Sequence, residues 1–263
     1  MILSWLGLFL GVAGILLGQV LEGGHLVQLL QPTAAMIVFG GSLGATMLSS
    51  NMSEFSHAIR GTGKVFFHKG HDFGPLVKEL VSIATVARRE GILALDRLLG
   101  EIKSPFLANF LRHVIDGYDP NIVKEMMEDR ISREEEEKVG AAKVWETAGG
   151  YSPTMGILGA VMGLIHVMSN LSDSSKLGSG IAVAFVATVY GVGGANLLLI
   201  PIGNKLKKIA AEEILELQLM YTGVMGIQGG VNPRVIEDRL NNLLLTYTNI
   251  DEKGAPGAEK KAA

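Results

Sequence analysis

The 263-residue chain has no cysteine, so disulfide staples and thiolate chemistry are closed to it. That absence says nothing about compartment. Its net charge is only −3, which gives no electrostatic argument for nucleic acid, and no nucleic-acid partner is expected. No internal repeat is visible, and few segments alternate with period two. The most informative scarcity is positional. Ile2 to Leu21, Thr33 to Ser50 and Leu177 to Asn204 contain no Asp, Glu, Lys or Arg. Tyr151 to Leu171 contains none either, and holds one histidine, His166.

Charge-free runs of this kind are membrane spans. About 20 apolar residues at about 1.5 Å each cross a hydrocarbon core of about 30 Å. The first, third and fourth runs meet that length; the second is shorter and rich in small residues. Met1 is followed directly by Ile2, with no basic stretch and no small-x-small cleavage site, so the first run is read as retained. Orientation follows from lysine and arginine. Residues 51–150 carry 14 of the 23, and 8 more lie from Lys205 onward. The segment from Glu22 to Pro32 carries none, and Leu171 to Ser179 only Lys176. The positive-inside rule therefore places the large loop, the tail and both termini in the cytoplasm of a multi-pass inner-membrane protein.

The fold class expected is all-α: a polytopic membrane protein with four transmembrane helices and a helical cytoplasmic domain. The divisions are transmembrane helices 1 and 2 in residues 1–50, a cytoplasmic helical domain in 51–150, transmembrane helices 3 and 4 in 151–203, a cytoplasmic helical tail in 204–250, and a disordered C-terminus in 251–263. Leu76, Leu80, Ile83, Ala84 and Ala87 recur at helical spacing, and Gly91 should break that helix. Ser104-Pro105, Asp119-Pro120 and Asn232-Pro233 read as helix starts. The second of these helices is expected to run to about Thr147, and Glu134 to Glu137 to form a solvated face.

Enzyme motifs fail one by one, so no catalytic residue is assigned. Gly61-Thr62-Gly63-Lys64 resembles the end of a phosphate loop, but Val65 replaces the required Ser or Thr and Ala58 the first Gly. His68 and His71 beside Asp72 lack a further ligand cluster, so no metal site is assigned. No cofactor is expected. Gly7/Gly11, Gly14/Gly18, Gly40/Gly44 and Gly159/Gly163 each place two small residues on one helix face, which permits close helix packing within or between chains. Membrane proteins hold and relay ions on intramembrane acids and bases. Here His166 is the sole candidate. It lies about 22 Å into the third span, towards the outer interface, and is read as a structural residue. If the chain handles ions, the titrating acid belongs to a partner. Pro153 is read as the first residue of the third span. Pro201 kinks the helix if the fourth span continues past it.

The run from Gly149-Gly150-Tyr151-Ser152-Pro153-Thr154-Met155-Gly156 to Gly163-Leu164-Ile165-His166 resembles the third span of the MotA/PomA family of flagellar motor stator subunits. Val186-Ala187-Thr188-Val189-Tyr190-Gly191 followed by Pro201 is similar to that family's fourth span. Arg88-Arg89-Glu90-Gly91-Ile92-Leu93-Ala94-Leu95-Asp96-Arg97 is similar to its rotor-facing segment. The resemblance covers nearly the whole chain. It implies a homo-oligomeric ring of five copies in membrane lipid, around a dimer of MotB-like subunits that carry the essential Asp. Ion flow past that Asp turns the ring, which pushes on the rotor protein FliG. By position, the resemblance makes Pro153 and Pro201 conformational coupling residues and Arg88, Arg89, Asp96 and Arg97 rotor-binding charges. It places Thr188 on the ion path, and Ala160 where sodium-driven members carry Thr, which implies proton drive. The alternative is an ExbB/TolQ-like proton-channel subunit, from a family that typically has three spans.

Overall fold

A backbone that crosses hydrocarbon must satisfy its own N–H and C=O groups, and every long apolar run here becomes helical. The computed structural model describes residues 2–170 and 174–253, and all regular structure among them is helix. Helix α1 is Ile2–Leu21. Pro32 at a first helical position opens α2, residues 32–49, which contains a wide π turn at Met36–Gly40. Helix α3 is Met52–Phe67, started by a capping box in which the Asn51 amide donates to Glu54. Helix α4, Gly74–Glu90, leads into a 3-10 segment, Ile92–Leu98, and α5 is Pro105–Ile115. Helix α6 is Pro120–Ser169 and α7 is Ser174–Gly194. A second π turn, Ala195–Leu199, joins α7 to α8, Ile200–Gln228, and α9 is Pro233–Lys253. Four of these helical stretches are long and apolar enough to cross a membrane.

One sequence expectation is corrected. The helix opened by Pro120 does not stop near Thr147; it runs 50 residues without a break, so Pro153 is an interior residue and not a first one. A proline ring tells against helix only for the few residues before it. The Ala-rich stretch preceding Pro153 is buried along Ala141, Ala142, Val144 and Ala148, and that packing holds it helical. Helix α9 continues through Lys253, and residues 254–263 of the expected disordered tail lie outside the described residues.

The chain divides into two compact units. The first comprises residues 1–69 and 136–210 and holds the apolar helices. Its tightest crossing is between α6 and α7, where glycines let backbones meet. A Cβ on Gly163 would stand 2.8 Å from both the Ala184 nitrogen and the Gly180 carbonyl oxygen. One on Gly191 would stand 2.7 Å from the Ser152 carbonyl oxygen. The Gly159/Gly163 face is thus used within the chain, while Gly7, Gly14, Gly18, Gly40 and Gly44 face open space. Helix α1 buries none of its residues, and Leu21 is 85% exposed. Apolar surface on this scale calls for lipid or other subunits around it. Helix α3 packs Ala58 against Ala141 and Val144, and the Trp145 indole N–H donates to the Ala58 carbonyl at 3.1 Å.

The second unit comprises residues 70–135 and 211–263. It is an ordinary water-type core built on Leu80, Leu95, Leu107, Leu111, Met127, Leu219, Ile236 and Leu240. Its helix ends carry the chemistry that the sequence announced. Gly91 takes φ +89° and ends α4. The Ser104 hydroxyl accepts the Leu107 amide, and the Asn232 side-chain Oδ1 accepts the Arg234 amide at 3.1 Å. The Tyr221 hydroxyl donates to Glu128 at 2.8 Å; burial, then that bond and the carboxylate's charge, push its pKa up to about 12.

Candidate functional site

Ala160 and Thr188, which the family resemblance assigns to the ion path, lie along one helix crossing. Gly156 of α6 packs so closely on α7 that an added Cβ would stand 2.9 Å from the Ala187 carbonyl oxygen and 3.4 Å from the Thr188 Cα. Ala160 follows Gly156 by one turn and is half-buried; Thr188 is exposed. The Thr188 hydroxyl donates to the Ala184 carbonyl at 3.3 Å, a long and weak bond for a hydroxyl. Its oxygen lone pairs remain able to accept or to ligate. Ala160 contributes a methyl group and no oxygen. Among the described residues of the spans there is no acid or base except His166, which is exposed.

Two prolines flank this crossing at one end. Pro153 sits inside α6, where it removes the amide that would bond to the Gly149 carbonyl. Pro201 is the second residue of α8, directly after the π turn. In that turn the Ile200 amide reaches back five residues to the Ala195 carbonyl, a widening typical of π bulges at functional positions. Sequence pattern cannot show such a turn.

Two further contacts tie the prolines' surroundings together, and sequence reasoning missed both. The Ser152 hydroxyl, fully buried beside Pro153, donates to the Gly191 carbonyl at 3.0 Å. Below the prolines, Lys207 of α8 pairs with Glu146 of α6 at 2.6 Å. The partners are 39 and 61 positions apart; the only sequence hint was a hydroxyl residue preceding a proline in a span. Tyr190, also missed as an individual residue, donates through its hydroxyl to the Leu29 carbonyl and stacks on Phe39 at 6.0 Å. It links the fourth span to the start of α2.

The charged segment belongs to the second unit and is fully presented. Arg88 and Arg89 occupy the last turn of α4, where cations complement the helix dipole. After the Gly91 turn, the 3-10 segment carries Asp96 and Arg97 and is anchored by buried Leu95. All four charged residues are exposed. Arg97 is engaged by Glu90 in an ion pair. Beside Arg88 lies a cleft of about 520 Å³ with Ile92, Leu93 and Val231 in its walls; Leu93 is 76% exposed. His71 stands 3.1 Å from Glu216, and Asp72 accepts the Gly74 amide at 3.0 Å.

Closely crossed, charge-free spans with prolines at one end, together with a unit displaying fixed charges, define a polytopic membrane protein. Comparison with known proteins narrows the class. The profile of the MotA/TolQ/ExbB proton channel family matches residues 99–219, and that of the motility protein A N-terminal region matches residues 5–91. Motility protein A of Helicobacter pylori is 37% identical over 257 residues, 98% of this chain and 96% of that protein. Chemotaxis protein PomA of Vibrio alginolyticus is 33% identical, over 91% of this chain and 93% of its own. The solved Campylobacter jejuni MotAB structure matches with a TM-score of 0.85 at 33% identity, covering 92% of this chain and 96% of that one. The Bacillus subtilis flagellar MotAB stator complex matches with a TM-score of 0.82 at 30% identity, over 94% and 98% of the two chains. The chain belongs to the MotA/TolQ/ExbB proton channel family, and within it to the motility protein A proteins. This is a channel family and not an enzyme family.

Proposed function

We propose that the chain is the membrane-embedded torque subunit of a bacterial flagellar stator, coupling proton flow across the inner membrane to rotation. The observation that carries this is the full-length likeness to MotAB stator structures at 30–33% identity. The match of residues 5–91 to the motility-specific N-terminal region favours a flagellar role over an ExbB/TolQ-like one. The chain itself carries out no catalysis. A ring of five copies in the membrane surrounds a MotB-like partner whose Asp supplies the acid these spans lack. Both termini and the second unit lie in the cytoplasm, in keeping with the lysine and arginine distribution. Arg88, Arg89, Asp96 and Arg97 face the rotor protein FliG.

Proton drive follows from the oxygen supply. A sodium ion must exchange its hydration shell for carboxylate, hydroxyl and carbonyl oxygens. Ala160, Gly159 and Val161 offer no hydroxyl, and Thr188 offers one. A proton needs only the partner's titratable acid. Pro153 and Pro201 act as the hinge through which the state of that acid reaches the charged segment.

The test is rotation of tethered cells whose only stator is this chain with its partner. Speed should collapse on adding a protonophore and stay unchanged when potassium replaces sodium at constant proton-motive force. Speed that rises with sodium at constant proton-motive force would overturn the reading of Ala160.

A further inference from the structure

A cleft of about 610 Å³ opens between the start of α1 and the junction of the π turn with α8. Leu3, Leu8, Val65, Phe66 and Leu197 give it apolar walls. Its volume falls within the range of about 300–1,000 Å³ usual for ligand pockets. Lys205 and Lys208 also line it, one to two turns along α8 beyond Pro201. A lysine at such a site is normally neutralised, and Lys207 on the same helix is, by Glu146 at 2.6 Å. Lys205 differs. It is half-buried, and among the described residues no carboxylate lies within ion-pair distance of it. An ammonium without a carboxylate partner at the end of an apolar groove, just past the charge-free run of the fourth span, has the chemistry of a lipid phosphate site.

We propose that this cleft binds an anionic phospholipid, with an acyl chain along Leu3, Leu8, Phe66 and Leu197 and the phosphate at Lys205 and Lys208. The assignment rests on the cytoplasmic placement of this end of α8 argued above, because the cytoplasmic leaflet is the anionic one. Space allows it: Gly7 lines the cleft, and a Cβ added there meets nothing within 4 Å. Pro201 lines it too, so a bound lipid sits against the proposed hinge.

The test uses the full chain, co-expressed and purified with its single-span partner. The complex is exchanged into bilayers of equal phosphatidylglycerol and phosphatidylcholine, and retained lipid is read by native mass spectrometry. Phosphatidylglycerol should be retained over phosphatidylcholine. Lys205→Gln and Lys208→Gln should each weaken that preference about fivefold, the effect of removing one lysine from an anionic lipid surface. Lys143→Gln, an exposed lysine outside the cleft, should leave it unchanged. Gly7→Leu, which fills the groove, should lower retention of both lipids. Equal retention of the two lipids by the unaltered complex, or unchanged preference in the Lys205→Gln/Lys208→Gln variant, overturns the proposal. So does a Gly7→Cys variant that a short bifunctional maleimide links to a second copy of the chain, because the groove is then a protein interface. Orientation is read separately, since the chain has no native cysteine. Labelling of Lys205→Cys only from the outer face of intact cells overturns the topology and leaves the lipid result standing.

Discussion

Gly191→Ala tests the α6–α7 crossing with a single methyl group. The new Cβ would stand 2.7 Å from the Ser152 carbonyl oxygen, 2.9 Å from the Gly156 Cα and 3.2 Å from the Gly156 nitrogen. All three are backbone atoms, so no side chain can swing aside. Ordinary contact begins at 3.4 Å, so the helices must part by about 0.7 Å. A gap of that size forfeits a quarter to a half of the dispersion energy of each contact along the seam. Overpacking of this kind costs about 1–3 kcal/mol. Stretching the bond from Ser152 to the Gly191 carbonyl, 3.0 Å in the native protein, adds about 1 kcal/mol. No hydrophobic gain offsets this between helices already in lipid. The control is Gly193→Ala on the same helical rod, whose Cβ meets nothing within 4 Å and whose effect should stay within about 0.5 kcal/mol. Equilibrium unfolding of the purified complex in mixed micelles, followed by circular dichroism, measures both. A Gly191→Ala protein as stable as Gly193→Ala would refute the close crossing.

Pro153→Leu and Pro201→Leu should each insert at normal membrane levels yet lower swimming speed severalfold, because a straightened helix loses the proposed hinge; wild-type swimming by the double variant rejects the hinge. Arg88→Asp should reduce torque, with partial rescue by the opposite reversal on the rotor, since exposed pairs are worth about 0–1 kcal/mol each and reversal acts more strongly than neutralisation. Arg97 is already engaged by Glu90, so Arg97→Gln should slow tethered-cell rotation less than Arg88→Gln. Normal swimming after joint reversal of Arg88 and Asp96 would sink the rotor-face assignment. Tyr221 holds its proton to about pH 12 in the folded chain, against about 10 when unfolded. Between those values the folded state therefore binds more protons, and its stability falls as pH rises. Tyr221→Phe should flatten that alkaline decline in a melting series, and an unchanged decline would count against the Glu128 contact.

Much of this architecture could be read from the sequence by itself, because the deciding physics is local or one-dimensional. The length of a charge-free run sets a span, as in Ile2–Leu21. Helix ends declared themselves at Gly91, Ser104 and Asn232, where a cap acts within two to four residues. The exposure of Arg88, Arg89, Asp96 and Arg97 also follows from charge. Local signals misled at Pro153, which reads as a helix start and is an interior residue; burial of Ala142 and Ala148 on the preceding turns overrides the proline's preference. Only the tertiary structure could decide which glycine faces are used inside the chain. Gly14/Gly18 and Gly159/Gly163 have the same spacing, yet the first meets nothing and the second meets α7. The same holds for the Ser152–Gly191 and Glu146–Lys207 contacts and the cleft at Lys205. Their partners lie tens of residues apart, and helical periodicity shows which residues share a face but not what that face meets.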